Sequence, residues 1–122
     1  RFMCDMGMPL SYLSNVIGTA RTYPIRVGGT SGGCYSDQHE TTWEKLGLKK
    51  EYTTVTGRER RVFTFSELQV KEAMWAMEPD DVFLNFCNYI KDEEDLNVIR
   101  EAFGEFIAYE GFGPTRSHVN EV

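Results

Sequence analysis

The second half of the chain alternates extended and helical patterns, and that alternation limits the fold more than any other feature. "VFTFS" (62–66) reads as a short strand. "SELQVKEAMWAM" (66–77) reads as a helix, with Ser66 as N-cap and Pro79 just past its end. "DVFLNFCNYI" (81–90) is an apolar, aromatic run of the kind that forms a buried strand. "DEEDLNVIREAF" (92–103) carries acids in a helix's first turn, where they suit the dipole, and Gly104 ends it. "FIAYE" (106–110) is a further strand, and "GFGPTR" (111–116) a Gly/Pro turn. Strands separated by helices predict an α/β layer with a partly parallel sheet and flanking helices. Ligands of such sheets bind at loops beyond the carboxyl ends of the strands. That directs attention to the loop before Val62, to Asn85–Asn88 and to Gly111–Arg116.

The first half is less regular. Pro9 opens "PLSYLSNVIGTAR", where Leu10, Leu13, Val16, Ile17 and Ala20 share one helical face. A helix is expected there. "TYPIRV" alternates Tyr23, Ile25 and Val27 as a strand does, and Pro24 makes it an edge or irregular one. "GGTSGG" (28–33) predicts a mobile loop, and "DQHETTWEKLGL" (37–48) a short helix ending near Gly47.

With 122 residues the chain is sized for one domain with one core. No apolar run reaches the roughly 18 residues of a membrane helix, so no membrane partner is expected. The start, "RFMCDMGMPL", lacks a signal peptide's apolar stretch and an initiator methionine, so a fragment is expected. Cys4, Cys34 and Cys87 are scattered and odd in number, which predicts neither a disulfide framework nor a zinc knuckle but a reducing, cytoplasmic setting. A formal net charge of -6 argues against general nucleic-acid binding. Small anions need only local positive charge.

Such local charge sits in "TVTGRERR" (54–61). Gly57 permits a tight turn, and Thr54 and Thr56 offer hydroxyls. Arg58 and Arg60 alternate, so on extended backbone they point the same way. Two guanidinium forks side by side suit a dicarboxylate or a phosphate. A solvated basic turn paired with acids such as Glu59 fits the same residues. Asn85 and Asn88 carry amides able to read a nucleobase edge, or to close a strand end on backbone. The turn around Phe112 lets a planar base approach backbone, or simply connects two elements. His39 and His118 lack metal-ligand spacing and read as surface histidines, and neither a nucleophile motif nor a P-loop is present. No metal site and no catalytic residue are expected in this chain.

In order and spacing, three segments resemble the C-terminal part of the adenylosuccinate synthetase family. They are "MGMPLSYLSNVIGTARTYPIRVGG", "TTVTGRERRVF" and "YEGFGPTR", and the "TGRxRR" pattern is the specific one. The resemblance implies the C-terminal portion of a P-loop-NTPase-like fold, with residues 1–122 forming a single piece of a longer protein. The family joins L-aspartate to a purine monophosphate. A nucleoside triphosphate with magnesium phosphorylates the purine 6-oxygen, and aspartate's amine displaces that phosphate. By resemblance, Thr54, Val55, Thr56, Gly57, Arg58, Glu59 and Arg60 form the aspartate loop. Arg58 also lies near the purine monophosphate, as do Arg26 and Val27. Arg60, Phe86, Cys87, Asn88, Gly111, Phe112 and Gly113 match the triphosphate site.

Two departures qualify the resemblance. The family reads guanine with Lys-x-Asp, and the aligned residues here are Phe86, Cys87 and Asn88. A neutral amide accepts from adenine N6 and donates to N1, so ATP or dATP is the expected co-substrate. With "TYPIRV" and "DQHE", this is similar to the viral branch, which uses dGMP and makes the 2-aminoadenine precursor of phage DNA. IMP remains the alternative acceptor. The family's Gly-rich phosphate loop, catalytic aspartate and catalytic histidine belong to its N-terminal part, which also holds most of the magnesium contacts. This chain alone is therefore expected to be inactive, and the full-length form a homodimer. A non-catalytic nucleotide- or aspartate-binding module is the alternative.

Overall fold

A computed structural model describes residues 5–122, so Cys4 lies outside the described residues. Two sheets carry the chain. Strands β1 (Ile17–Arg21), β5 (Asp81–Asn85), β6 (Ile107–Gly111) and β7 (Val119–Glu121) form one sheet in the order β1-β5-β6-β7. Its first three strands are parallel and β7 is antiparallel to β6. Strands β2 (Ile25–Arg26), β3 (Glu40–Thr41) and β4 (Arg61–Phe63) form an antiparallel sheet with β4 in the middle. The mixed α/β, partly parallel architecture agrees with the alternation of patterns after Arg61.

Helix α1 (Glu67–Met77) starts where its local chemistry predicts. The Ser66 hydroxyl accepts from the Gln69 N–H at 3.0 Å and donates to Asp37 at 2.7 Å. Asp37 also accepts from the Leu68 N–H at 3.0 Å, so two side chains satisfy the free amides of the first turn. Helix α2 (Glu93–Phe103) is capped by Asp92, and Gly104 closes it at φ 59° through its N–H to Arg100. Leu96, Ile99 and Phe103 of α2 join Val70 of α1, Val82, Leu84 and Ile107 of the sheet, and Cys87 in one core.

The acid on β6 fixes α2 in place. Glu110 is only 4% exposed and accepts from Arg100 of α2 at 2.6 and 2.9 Å. The Arg100 side chain is 31% exposed and also pairs with Glu93. Replacing Glu110 with glutamine leaves a half-buried guanidinium short of acceptors. We expect it to lower unfolding stability by about 2–3 kcal/mol in a urea titration, below the roughly 3–5 kcal/mol for fully buried pairs because Arg100 is partly solvated. A loss under about 0.5 kcal/mol would mean that the pair does not hold α2.

Two expectations need correction. The predicted helix from Pro9 is a short 3-10 turn (Leu10–Tyr12) followed by β1. Its inward positions are Gly18 and Ala20, while Ile17 and Thr19 are exposed. A strand that turns its small residues inward has no large-residue alternation to read, so the spacing of Val16, Ile17 and Ala20 mimicked a helix. The predicted helix from Asp37 is β3 followed by a single turn that does end at Gly47, at φ 67°. Trp43 overrides the local preference, because its side chain is buried under the second sheet. In the glycine-rich loop, Arg61 donates to Ser31 and Gly32 at 3.1 Å each, and Arg26 donates to the Gly33 carbonyl. No described helix is long and apolar enough to cross a membrane.

Candidate nucleotide and aspartate site

Parallel pairing of β1, β5 and β6 brings Arg21, Asn85 and Gly111 to one edge of the sheet. A cleft of about 570 Å³ opens beyond that edge. One wall is Asn85, Phe86, Asn88 and Tyr89. The facing wall is Gly113, Pro114, Thr115 and Arg116. Two of the loops read from sequence thus meet across one space.

The first wall is built on strain. Phe86 sits at φ 64°, ψ 30°, a left-handed conformation rare for a bulky residue and costing about 1–3 kcal/mol. The surroundings hold it there. Buried Thr22 donates its hydroxyl to the Phe86 carbonyl at 2.8 Å, and the Tyr89 N–H donates to the same carbonyl at 2.9 Å. The Arg21 guanidinium lies 3.7 Å from the Phe86 ring centre, and the Tyr89 ring stands 5.0 Å away. This backbone turn presents Asn88 at the surface of the cleft, where its amide makes no hydrogen bond among the described residues. Cys87 points the other way. Its thiol is in the core, 3.4 Å from the Leu84 carbonyl, and burial pushes its pKa up to about 11.

The facing wall depends on two glycines. A Cβ at Gly111 would stand 3.1 Å from the Asn85 amide oxygen and 3.2 Å from the Phe83 ring. A Cβ at Gly113 would strike the His118 ring at 2.7 Å. His118 is tied to Thr115 at 2.8 Å, and its carbonyl accepts from the Phe112 N–H at 2.8 Å. Phe112 itself packs against the core, so what the turn offers to the cleft is Gly113 and the residues after it.

The arginine loop is the tip of a hairpin closed by a Tyr52–Glu59 bridge and a 2.9 Å bond from the Thr53 N–H to the Arg58 carbonyl. Gly57 turns at φ 61°, and Thr53 and Thr56 share a hydroxyl contact of 2.5 Å. The three arginines differ in engagement. Arg61 is bound to Glu40 at 2.6 and 2.8 Å and serves the fold. Arg60 stands 3.6 Å from Glu51. Arg58 is exposed and makes no ion pair among the described residues. Glu59 pairs with Lys50 rather than with an arginine of the loop. The acids that pair with the loop's arginines are thus Glu40 and Glu51, not Glu59. Arg60 also lines a second cleft, of about 480 Å³, together with Arg26, Val27 and Thr53. Residues assigned to the monophosphate and to the aspartate loop thus share one opening. Thr54, Val55 and Thr56 lie exposed at the loop tip.

Several contributors escaped the sequence reading. The Trp43 indole N–H donates to the Arg60 carbonyl at 2.8 Å and anchors the hairpin from below. Gly28 lets the chain pass close to the loop, since a Cβ there would meet the Glu59 carbonyl at 2.8 Å. Glu51 accepts from Arg21 at 2.6 and 3.1 Å and from the Tyr89 hydroxyl at 3.0 Å. Burial alone would raise its carboxyl, but Arg21, Tyr89 and Arg60 outweigh burial and hold it below the ordinary carboxylate range. A carboxylate lowered in this way stabilises the fold at pH values above its unfolded pKa of about 4.3, and that stability is lost as pH falls through the lower folded value. We expect the melting temperature to drop in that acid window, with a shallower drop in Glu51→Gln. Identical acid profiles for the two proteins would contradict the assignment.

Comparison with known proteins places the chain in a family. The adenylosuccinate synthetase family model matches residues 1–115. The chain belongs to the adenylosuccinate synthetase family. Among its relatives, the N6-succino-2-amino-2'-deoxyadenylate synthase of Vibrio phage phiVC8 is 52% identical, over 98% of this chain and 37% of that protein. The synthase of the same name from Acinetobacter phage SH-Ab 15497 is 44% identical, over 94% of this chain and 33% of that protein. The chain spans about a third of the length of these relatives. It also aligns with a solved structure, the succinoaminodeoxyadenylate synthetase of Cyanophage S-2L bound to dGMP and dATP as an energy donor. That likeness has a TM-score of 0.85 at 41% identity, over 98% of this chain and 37% of the other. The relatives named here are synthases or a synthetase by name, and the resemblance first seen in the arginine loop extends over nearly the whole chain.

Proposed function

We propose that these residues are the C-terminal, substrate-positioning part of a phage-type synthase that joins L-aspartate to dGMP, with ATP or dATP as energy donor. The carrying observation is the Asn88 amide, unbonded at the mouth of a cleft between the Phe86 turn and the Gly113 turn. An amide there suits adenine, because it accepts from N6 and donates to N1. The relatives' names favour dGMP over IMP as acceptor, and the dATP in the Cyanophage S-2L structure supports an adenine donor.

In this reading the aspartate loop works by positioning. Arg58 holds the aspartate carboxylates and lies against the monophosphate, and Arg60 meets the triphosphate. Arg26 and Val27 line the monophosphate's side of the second cleft. Gly111, Phe112 and Gly113 bring backbone close to the donor's base, next to Phe86, Cys87 and Asn88. Among the described residues no group of three or more His, Cys, Asp or Glu side chains has a metal-binding arrangement. In this reading magnesium is held mainly by the N-terminal part of the longer protein, as the family resemblance implies, and the longer protein is a homodimer.

The test is an assay by mass spectrometry of the longer protein with dGMP, aspartate and dATP. Succinylated product is expected from the longer protein and none from these 122 residues alone. Product from this chain alone would overturn the division of labour. Nucleotide binding with no product from either dGMP or IMP would favour the binding module.

A further inference from the structure

We infer that Glu51 is a positioning residue that ties the aspartate loop to the platform under the donor's base, an inference that rests on the functional reading above. One carboxylate serves both places. Its Oε1 takes Arg21 at 2.6 Å and the Tyr89 hydroxyl at 3.0 Å. Its Oε2 takes the second Arg21 nitrogen at 3.1 Å and faces Arg60 at 3.6 Å. Arg21 and Tyr89 in turn bracket the strained Phe86, one over its ring face and one beside it. The backbone is linked as well, because the Arg60 N–H donates to the Glu51 carbonyl at 2.9 Å.

The asymmetry of these contacts is informative. Arg21 is held by a two-point fork, which fixes the carboxylate relative to β1. Arg60 is held across a distance longer than a hydrogen bond, so its donors stay free for a ligand while its charge stays in place. Glutamine at position 51 offers one oxygen where Glu51 offers two. Arg21 Nε is already buried without a partner, so losing half of the fork leaves that guanidinium poorly satisfied. The Phe86 turn and Arg60 then lose their common reference point together.

Glu51→Gln in the longer synthase is expected to raise the KM for aspartate and the KM for dATP, each about tenfold, with kcat at saturation within about threefold. Arg21→Lys keeps the charge but not the fork and is expected to move both constants in the same direction. This second variant keeps the test open if the first folds poorly. A lower melting temperature with both KM values unchanged in either soluble variant would overturn the role, since a purely structural carboxylate predicts that result. A rise in only one KM would overturn the tie between the two places. An inactive wild-type synthase is a different failure, because it sinks the functional reading and not the role of Glu51.

Discussion

Arg58→Leu is expected to abolish aspartate use while the fold stands. Arg58 is exposed and takes part in no ion pair among the described residues, so the fold does not depend on its charge. Its backbone N–H donates to the Thr53 hydroxyl at 3.0 Å, and leucine keeps that bond. Unfolding stability should therefore change by no more than about 0.5 kcal/mol. The guanidinium's proposed work is different. It supplies a two-point grip on a carboxylate and sets the amine's line of approach. Two charged hydrogen bonds are together worth about 4 kcal/mol in such a place, which is about a thousandfold in kcat/KM for aspartate. Binding of dATP alone should be nearly unchanged, since Arg58 does not line the first cleft. If the loop were only a structural turn, the same substitution would leave aspartate kinetics alone.

The second large effect concerns the donor's base. Asn88→Asp replaces an amide that both accepts and donates with a carboxylate that only accepts. Adenine N1 then loses its donor, and guanine's N1–H and N2–H gain the paired acceptors they need. A matched two-point pairing is worth about 1–3 kcal/mol of discrimination, lost for one base and gained for the other. The dATP-to-GTP affinity ratio should fall by about a hundredfold. Asn88 is exposed, so the change should cost little stability. Competition between the two triphosphates for a fluorescent nucleotide reads the ratio directly. An unchanged ratio would remove Asn88 from base reading.

What could be read in advance was what local chemistry decides. The Ser66 cap, the acidic first turn of α2, the closing Gly104 and the start of β5 each leave a mark within a few residues. The strand expected over 81–90 stops at Asn85, because Phe86 turns left-handed and Cys87–Tyr89 form a 3-10 turn. Strand β1 left no such mark, because Gly18 and Ala20 face inward with almost no side chain to show it. Strand β7 is short and its pattern says little, since only Val119 of its three residues is even partly buried. The loops of the site were legible as loops, and parallel topology then predicted that two of them would meet. Their supports were not legible. Arg21 and Glu51 are 30 residues apart, and Thr22 and Phe86 are 64 apart. Pairings at that range follow from the sheet register, not from any local pattern. The segment around Trp43 was misread for the same reason, since its indole bonds to the Arg60 carbonyl, 17 residues away, just before β4.

The central claim is that the cleft beyond β5 and β6 accepts an adenine nucleotide through Asn88. Calorimetric titration of the longer protein with dATP and, separately, with GTP tests it most directly. The account predicts that dATP binds more tightly by about tenfold or more. GTP binding as tightly as dATP, or more tightly, would contradict it.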